Sequence, residues 1–203
     1  MNAALQFDEA THTYTVGGEK WPSVTTILDP LLELDGIPRA ALEAAAQFGH
    51  HVHLATDLYD KGTLDEDALD PHLKPYLAGW KAFLRESGAV VLASEVRVSD
   101  RMLKVAGTLD KLVRWKFNRR YILDIKTSAV VPWTVGMQTA GYRELYADTF
   151  CTSLPVEPLS ATRLCVHLKP EGVYKLYVLD DSRDRNDFIS AVNFHNMRKR
   201  RGR

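Results

Sequence analysis

Gly107-Thr108-Leu109-Asp110, followed by Tyr121-Ile122-Leu123-Asp124-Ile125-Lys126-Thr127-Ser128, is the stretch on which the fold turns. Read as two neighbouring strands, it sets an acidic residue on the first beside an Asp-x-Lys on the second. Side chains alternate faces with period two, so Asp124 and Lys126 share a face while Ile125 points into the core. Two carboxylates and one amine converging on one sheet face suit a divalent metal and a water molecule, which is the equipment of a phosphodiester hydrolase.

Working outward, residues 90 to 98, 103 to 115 and 121 to 127 form an antiparallel meander, turned at Asp100-Arg101 and again over 116 to 119. Glu95, on its first strand, either adds a carboxylate to the site or pairs with Arg97 or a neighbouring strand. Pro132-Trp133 opens a helix that runs to about residue 149 and places Gln138 and Tyr142, four apart, on one face. Residues 161 to 168 and 173 to 180 make a hairpin across Pro170-Glu171-Gly172, and a last helix from about 183 runs into a basic tail. Residues 150 to 160, with Pro155 and Pro158, are expected to form a loop.

Towards the N-terminus, residues 5 to 21 read as a hairpin reversed at Gly17-Gly18. Ser23 is the candidate N-cap of a helix over 24 to 32, which Gly36-Ile37-Pro38 interrupts. A longer helix spans 39 to 59. Ala45, Gly49 and His53 share one of its faces, and a glycine in mid-helix costs about 1 kcal/mol relative to alanine. That cost predicts a close approach to the sheet at Gly49, with His53 held against the sheet's working edge. Zinc is rejected, because His50, His51 and His53 do not share a helix face. After an acidic loop over 61 to 71, a helix over 72 to 86 carries Tyr76, Trp80, Phe83 and Leu84 on one stripe, read as core, and Gly88 ends it.

The 203 residues are 45% hydrophobic, enough for one domain with a buried core. No apolar run approaches the roughly 20 residues that span a bilayer. The first residues lack a signal peptide's basic start and long apolar core. Cys151 and Cys165 have no metal-binding spacing and read as ordinary thiols in a reducing, cytoplasmic compartment. Net charge is +0, which excludes a globally basic nucleic-acid binder. The last six residues nevertheless hold five of the 26 basic residues, against 26 acidic ones in the whole chain. Arg198, Lys199, Arg200 and Arg201 are thus either a solvated disordered end or a phosphate-binding tail.

Enzymes lower barriers by about 8–23 kcal/mol, and a positioned general base supplies only about 10²–10⁴-fold of that. Metal ions must carry much of the rest. Asp110 and Asp124 are the hard oxygen ligands that Mg²⁺ or Mn²⁺ prefers, and the Ile125 carbonyl is a candidate further ligand. Lys126 either takes a proton from the attacking water or, charged, orients it and stabilises developing negative charge. Thr127 and Ser128 can donate hydrogen bonds to a phosphate.

The ordered set of Gly49 to His53, Gly107 to Asp110, Asp124 to Lys126 and Gln138 to Tyr142 resembles the RecB-like branch of the PD-(D/E)XK nuclease superfamily. The resemblance covers roughly 45 to 180. The opening, with Phe7-Asp8, Tyr14, Gly18 and residues 22 to 28, is similar to the start of phage-type exonucleases of that branch. It implies an α/β (α+β) restriction-endonuclease-like core of order α-β-β-β-α-β, a central mixed sheet flanked by helices. It also implies His53, Asp110 and Asp124 as metal ligands, Lys126 as the catalytic lysine, and Gln138 and Tyr142 facing the site. Some relatives hold an iron–sulfur cluster with four cysteines; this chain has two and cannot build that site alone. The activity implied is a Mg²⁺- or Mn²⁺-dependent exonuclease acting on DNA ends, in phage or bacterial recombination or repair, alongside a strand-annealing recombination protein. Its alternatives are an endonuclease for flapped or branched DNA and a non-catalytic nucleic-acid-binding relative. The assembly state is left open.

Overall fold

A computed structural model of the chain describes residues 4–32, 36–150, 159–160 and 162–202. The fold is mixed α and β, with a five-stranded sheet flanked by helices and a smaller three-stranded sheet. The small sheet is antiparallel and comprises β1 (Leu5–Asp8), β2 (Thr13–Val16) and β3 (Glu19–Trp21), so the expected hairpin gains a third strand. Helix α1 (Val24–Leu28) begins at Ser23, whose Oγ accepts the Thr26 N–H at 2.9 Å. It is shorter than the sequence suggests. Pro30 lacks an N–H and crowds the preceding turn, so residues Asp29–Leu31 tighten into a 3₁₀ turn.

Helix α2 (Arg39–Asp60) and helix α3 (Lys74–Ser87) follow, and Gly88, with φ +66°, closes α3 in the left-handed conformation. Strands β4 (Val90–Asp100), β5 (Val105–Trp115) and β6 (Arg119–Lys126) form the antiparallel meander. Helix α4 (Val135–Phe150) then crosses over, so that β7 (Arg163–Leu168) pairs parallel to β6, and β8 (Tyr174–Leu179) completes the order β4-β5-β6-β7-β8. The long crossover is what a parallel pair requires. Helix α5 (Asp184–Arg200) packs on α4, with Gly141 leaving room for the Phe188 ring.

Two cores sandwich the sheet. One joins α1, α4 and α5 to it through Val24, Leu109, Leu145 and Phe188. The other joins α2 and α3 through Val52, Trp80, Phe83 and Ile125. Trp80 and Phe83 are therefore core, as the stripe on their helix predicts. The disordered reading of the tail is corrected. Arg198, Lys199 and Arg200 form the last turn of α5, where the helix dipole favours cations. The loop expected over 150 to 160 lies mostly outside the described residues, as does Cys151, whereas Cys165 is a free, buried thiol. Among the described residues no helix is long and apolar enough to cross a membrane.

One buried charge was not expected. Lys111 on β5 is 0% exposed; its Nζ donates to Asp60 Oδ2 at 2.6 Å and to Ser94 Oγ at 3.0 Å, and it lies over the Trp80 ring. Trp80 Nε1 donates to the other Asp60 oxygen at 2.9 Å, so the end of α2 is tied to α3 as well as to β4 and β5. Removing one member of a buried pair strands the other's charge and costs about 3–5 kcal/mol. Lys111→Met should lower unfolding stability by that order in urea melts. Adding Asp60→Asn, which keeps an acceptor for Trp80, should recover most of the loss.

Candidate metal centre

The site begins where two strands stop pairing. The β5–β6 ladder runs from Trp115↔Arg119 to Lys111↔Leu123 and goes no further, while β6 continues beside β7 through Lys126↔His167. Asp110 is the next residue of β5. In place of a backbone bond, its Oδ2 accepts the Ile125 N–H at 2.7 Å, deep in the protein. The neighbouring strand brings a second carboxylate. Ser94↔Lys111 and Val96↔Leu109 set Glu95 opposite Asp110, and Glu95 holds φ +50° within its strand. A non-glycine residue there carries about 1–3 kcal/mol of strain, a cost that clusters at functional sites.

His53 closes the cluster from α2. Its Nε2 is 3.1 Å from the Ile125 carbonyl, which can only accept, so that nitrogen carries the proton. Nδ1 therefore faces the carboxylates, 3.5 Å from Asp110 Oδ1 and 3.9 Å from Glu95 Oε1. One ligand atom from each of His53, Glu95 and Asp110 lies within 4.8 Å of the others. Two carboxylates and an imidazole are a donor set for Mn²⁺ or Mg²⁺, and the hydrogen bonds to Ile125 are the supporting shell that orients such ligands. Glu95 thus takes the first of its two sequence readings. It makes no ion pair with Arg97, whose guanidinium instead lies over the Phe7 ring, 4.9 Å from its centroid.

Asp124 and the Ile125 carbonyl each have a partner within the protein. Asp124 is 1% exposed and turned to its neighbour on the same face, with Lys126 Nζ at 3.0 Å from Oδ1 and 2.9 Å from Oδ2. It stands outside the His53–Glu95–Asp110 cluster as the counter-ion of Lys126, because the period of two that aligns the pair also lets them meet. Only Oδ1 is aligned for a hydrogen bond. Oδ2 is a buried acceptor with unused capacity, as a carboxylate beside a cation site would be. The Ile125 carbonyl, in turn, is held by His53.

Lys126 Nζ also donates to Gln138 Oε1 at 3.0 Å, so α4 reaches the site as its spacing predicts. Tyr142, one turn on, lies across β5, and a Cβ on Gly107 would stand 2.8 Å from its ring. That contact explains the glycine of Gly-x-x-Asp. Gly49 is less demanding. A Cβ there would stand 3.4 Å from Thr127 Oγ1, an ordinary contact, so α2 passes the strand end without needing a glycine. Ser128 does not present its hydroxyl to a phosphate, since Oγ donates to the Val130 carbonyl at 2.8 Å and its own carbonyl takes the His167 Nε2 proton at 2.6 Å. Thr127 sits half-buried at the strand end. The basic turn at the end of α5 lies near Glu19 on the small sheet, and among the described residues no hydrogen bond or ion pair joins it to the cluster.

Burial and charge compete throughout the site. At His53 burial opposes the cation, but Asp110, Glu95 and Asp124 together outweigh it and raise the pKa from 6.5 to about 9. At Lys126 burial is likewise outweighed by Asp124 and Asp110, and the ammonium is kept. This favours the charged of its two sequence roles. Burial pushes Asp124 up to about 6 although Lys126 pulls it down, with Asp110 adding to the rise. Tyr142 is raised well above its ordinary value by burial and by both aspartates, so it stays neutral.

Tyr14, Thr108, Arg97 and His167 border the site and were not expected there. Tyr14 Oη lies 2.8 Å from Thr108 Oγ1, which stands two residues before Asp110 on the same strand. That spacing was the signal for Thr108, and Arg97 stands two residues from Glu95 in the same way. Nothing local announces Tyr14 or His167, which arrive through tertiary contacts.

No family model and no curated protein matches the chain. Among solved structures it is similar to the crystal structure of SSO0001, at 16% identity and a TM-score of 0.38, covering 60% of this chain and 56% of that one. The chain thus spans little more than half of that protein's length.

Two expectations follow from the geometry. Gly107→Ala should displace the Tyr142 ring and cost about 1–3 kcal/mol by overpacking, read as a lower urea midpoint. The second concerns pH. A pKa raised from 6.5 to about 9 means that protonated His53 adds stability that is full below pH 6.5 and is lost as pH rises through about 9. The metal-free protein should therefore lose stability across that window, and His53→Gln should flatten the loss. A metal taken by Nδ1 must displace the same proton, so Mn²⁺ affinity should increase about tenfold for each unit by which pH is raised towards 9, with proton release visible by calorimetry in buffers of different ionisation enthalpy.

Proposed function

We propose that the chain is a Mg²⁺- or Mn²⁺-dependent deoxyribonuclease of the RecB-like PD-(D/E)XK type, acting as an exonuclease on DNA ends. The observation that carries this reading is the gathering of His53, Glu95 and Asp110 within 4.8 Å beside the Asp124–Lys126–Gln138 chain. An incidental surface ion pair would not recruit residues from α2, β4, β5, β6 and α4, nor hold Glu95 at a positive φ. The sheet order and the ordered sequence motifs support the same class, although a fold by itself names no activity.

His53 Nδ1, Glu95 and Asp110 would hold the ion, with Asp124 Oδ2 beside it. A bound divalent cation lowers the pKa of its water and neutralises phosphate charge. The chain's own residues do the rest. The Lys126 ammonium, fixed between Asp124 and Gln138, is placed to orient the attacking water and to stabilise charge growing on the phosphate oxygens. Gln138 restricts that ammonium to one position, and neutral Tyr142 screens the far side from solvent. Ile125 keeps His53 and Asp110 at a fixed separation through its main chain. A strand-annealing recombination protein remains the partner that the sequence resemblance suggests.

With Mn²⁺ the purified protein should degrade end-labelled linear DNA and spare covalently closed circles. Cutting of the circles would move the reading to an endonuclease. Lys126→Ala should reduce cleavage by about 10²–10³-fold, the cost of losing one stabilising donor, without loss of helical circular dichroism. Intact activity in Lys126→Ala, or no digestion of single- or double-stranded DNA by the unaltered protein, would sink the proposal. Glu95→Gln should abolish Mn²⁺ binding as well as cleavage, which separates a ligand from a bystander.

A further inference from the structure

We infer that Arg97 is a phosphate-binding residue that positions the substrate strand, holding the phosphate next to the one that reacts. The inference rests on the nuclease reading and deepens it. In the β4–β5 register, Arg97 pairs with Thr108, and two residues along, between the rungs Val96↔Leu109 and Ser94↔Lys111, Glu95 comes opposite Asp110. Two residues of strand span about 7 Å, so the guanidinium stands one step from the carboxylate cluster on the same side of the two strands. Tyr14 spans both pairs. Its hydroxyl bonds Thr108, and its pKa, raised chiefly by burial, is pushed further up by Glu95 and drawn down by Arg97.

Three observations separate Arg97 from a structural arginine. It is exposed and, among the described residues, makes no ion pair or hydrogen bond, although the chain carries as many acidic as basic residues. Its guanidinium lies over the face of Phe7 in β1, which orients its plane and leaves its N–H donors free of any hydrogen bond among the described residues. Phe7 is itself braced by the Tyr14 ring, 4.6 Å away, and by His12, 5.1 Å away and edge-on. The small sheet therefore acts as a bracket for one cation. The cations inside the cluster are already committed, Lys126 to Asp124 and protonated His53 to Asp110 and Glu95. A site with three carboxylates repels a polyanion, and a preset guanidinium beside it supplies the attraction. An arginine fork suits that task, because it meets phosphate oxygens with two parallel hydrogen bonds.

The test is equilibrium binding of a fluorescently labelled oligonucleotide to the full chain in Ca²⁺, at several salt concentrations, with cleavage in Mn²⁺ followed separately. Arg97→Gln keeps the stem packed on Phe7 and removes the charge. It should weaken binding at least about tenfold and lower the salt slope by about 1, as loss of one phosphate contact does. Arg97→Lys should keep the slope and recover only part of the affinity. Phe7→Leu, which keeps the apolar volume, should weaken binding while leaving the slope close to that of the unaltered protein. If the unaltered protein binds and cleaves DNA while Arg97→Gln matches it in affinity and slope, this inference is overturned and the nuclease reading stands. If the unaltered protein neither binds nor cleaves DNA, both fall.

Discussion

The hydrogen bond from the Ile125 main chain to the Asp110 carboxylate is the constraint on which the site depends. Two antiparallel strands that paired along their full length would leave no opening between them. Here the ladder ends at Lys111↔Leu123, and a side chain takes over the next donor, so the strands part without leaving a buried N–H unpaired. The carboxylate that bridges the gap is thereby pinned. Its second oxygen points towards His53 and Glu95, and the strand that carries it keeps pairing with β4 on its other side. The opening is thus a feature of the sheet itself, not of a loop laid over it.

Holding several like charges in such an opening is costly, and the fold offsets the cost locally. Each buried carboxylate has a cation or donor of its own: Asp124 has Lys126, Asp110 has the Ile125 N–H and His53, and behind the sheet Asp60 has Lys111. The Lys111 network on the α2–α3 side and the Lys126 chain on the α4 side bracket the same two strands from opposite faces. The first fixes where α2 ends, and α2 in turn delivers His53. The second fixes how closely α4 approaches. Glu95 is the member whose placement costs backbone strain, and it lies on the outermost strand of the sheet, where a distorted backbone disturbs one neighbour only.

Much of this was legible in the sequence because it follows from local periodicity. The period of two put Asp124 and Lys126 on one face, the spacing of four put Gln138 and Tyr142 on another, and Ser23 marked a helix start that its hydroxyl does cap. What was not legible depends on contacts between distant segments. The pairing of Asp124 with Lys126 rather than with the His53–Glu95–Asp110 cluster depends on side-chain rotamers inside the folded site. The choice of Glu95 over its alternative pairings depends on a backbone angle that no residue type announces. Lys111 follows Asp110 in β5 with nothing local to mark it as buried, and its partner Asp60 lies 51 residues away. Gly49 shows the opposite case. A helix-breaking residue invited a steric explanation, and the structure leaves space for a side chain there.

Ile125 separates two kinds of sequence constraint at a single position. Its N–H and its carbonyl are both committed to the site, one to Asp110 and the other to His53, while its side chain is buried on the opposite business of packing α2 and α3 against the sheet. The chemistry therefore reads only the atoms that nearly every amino acid has in common, and the core reads only shape and volume. Substitution within the apolar class can drift here with the packing around it and leave the separation of His53 and Asp110 untouched. Proline alone, having no N–H to give, is barred by the site itself.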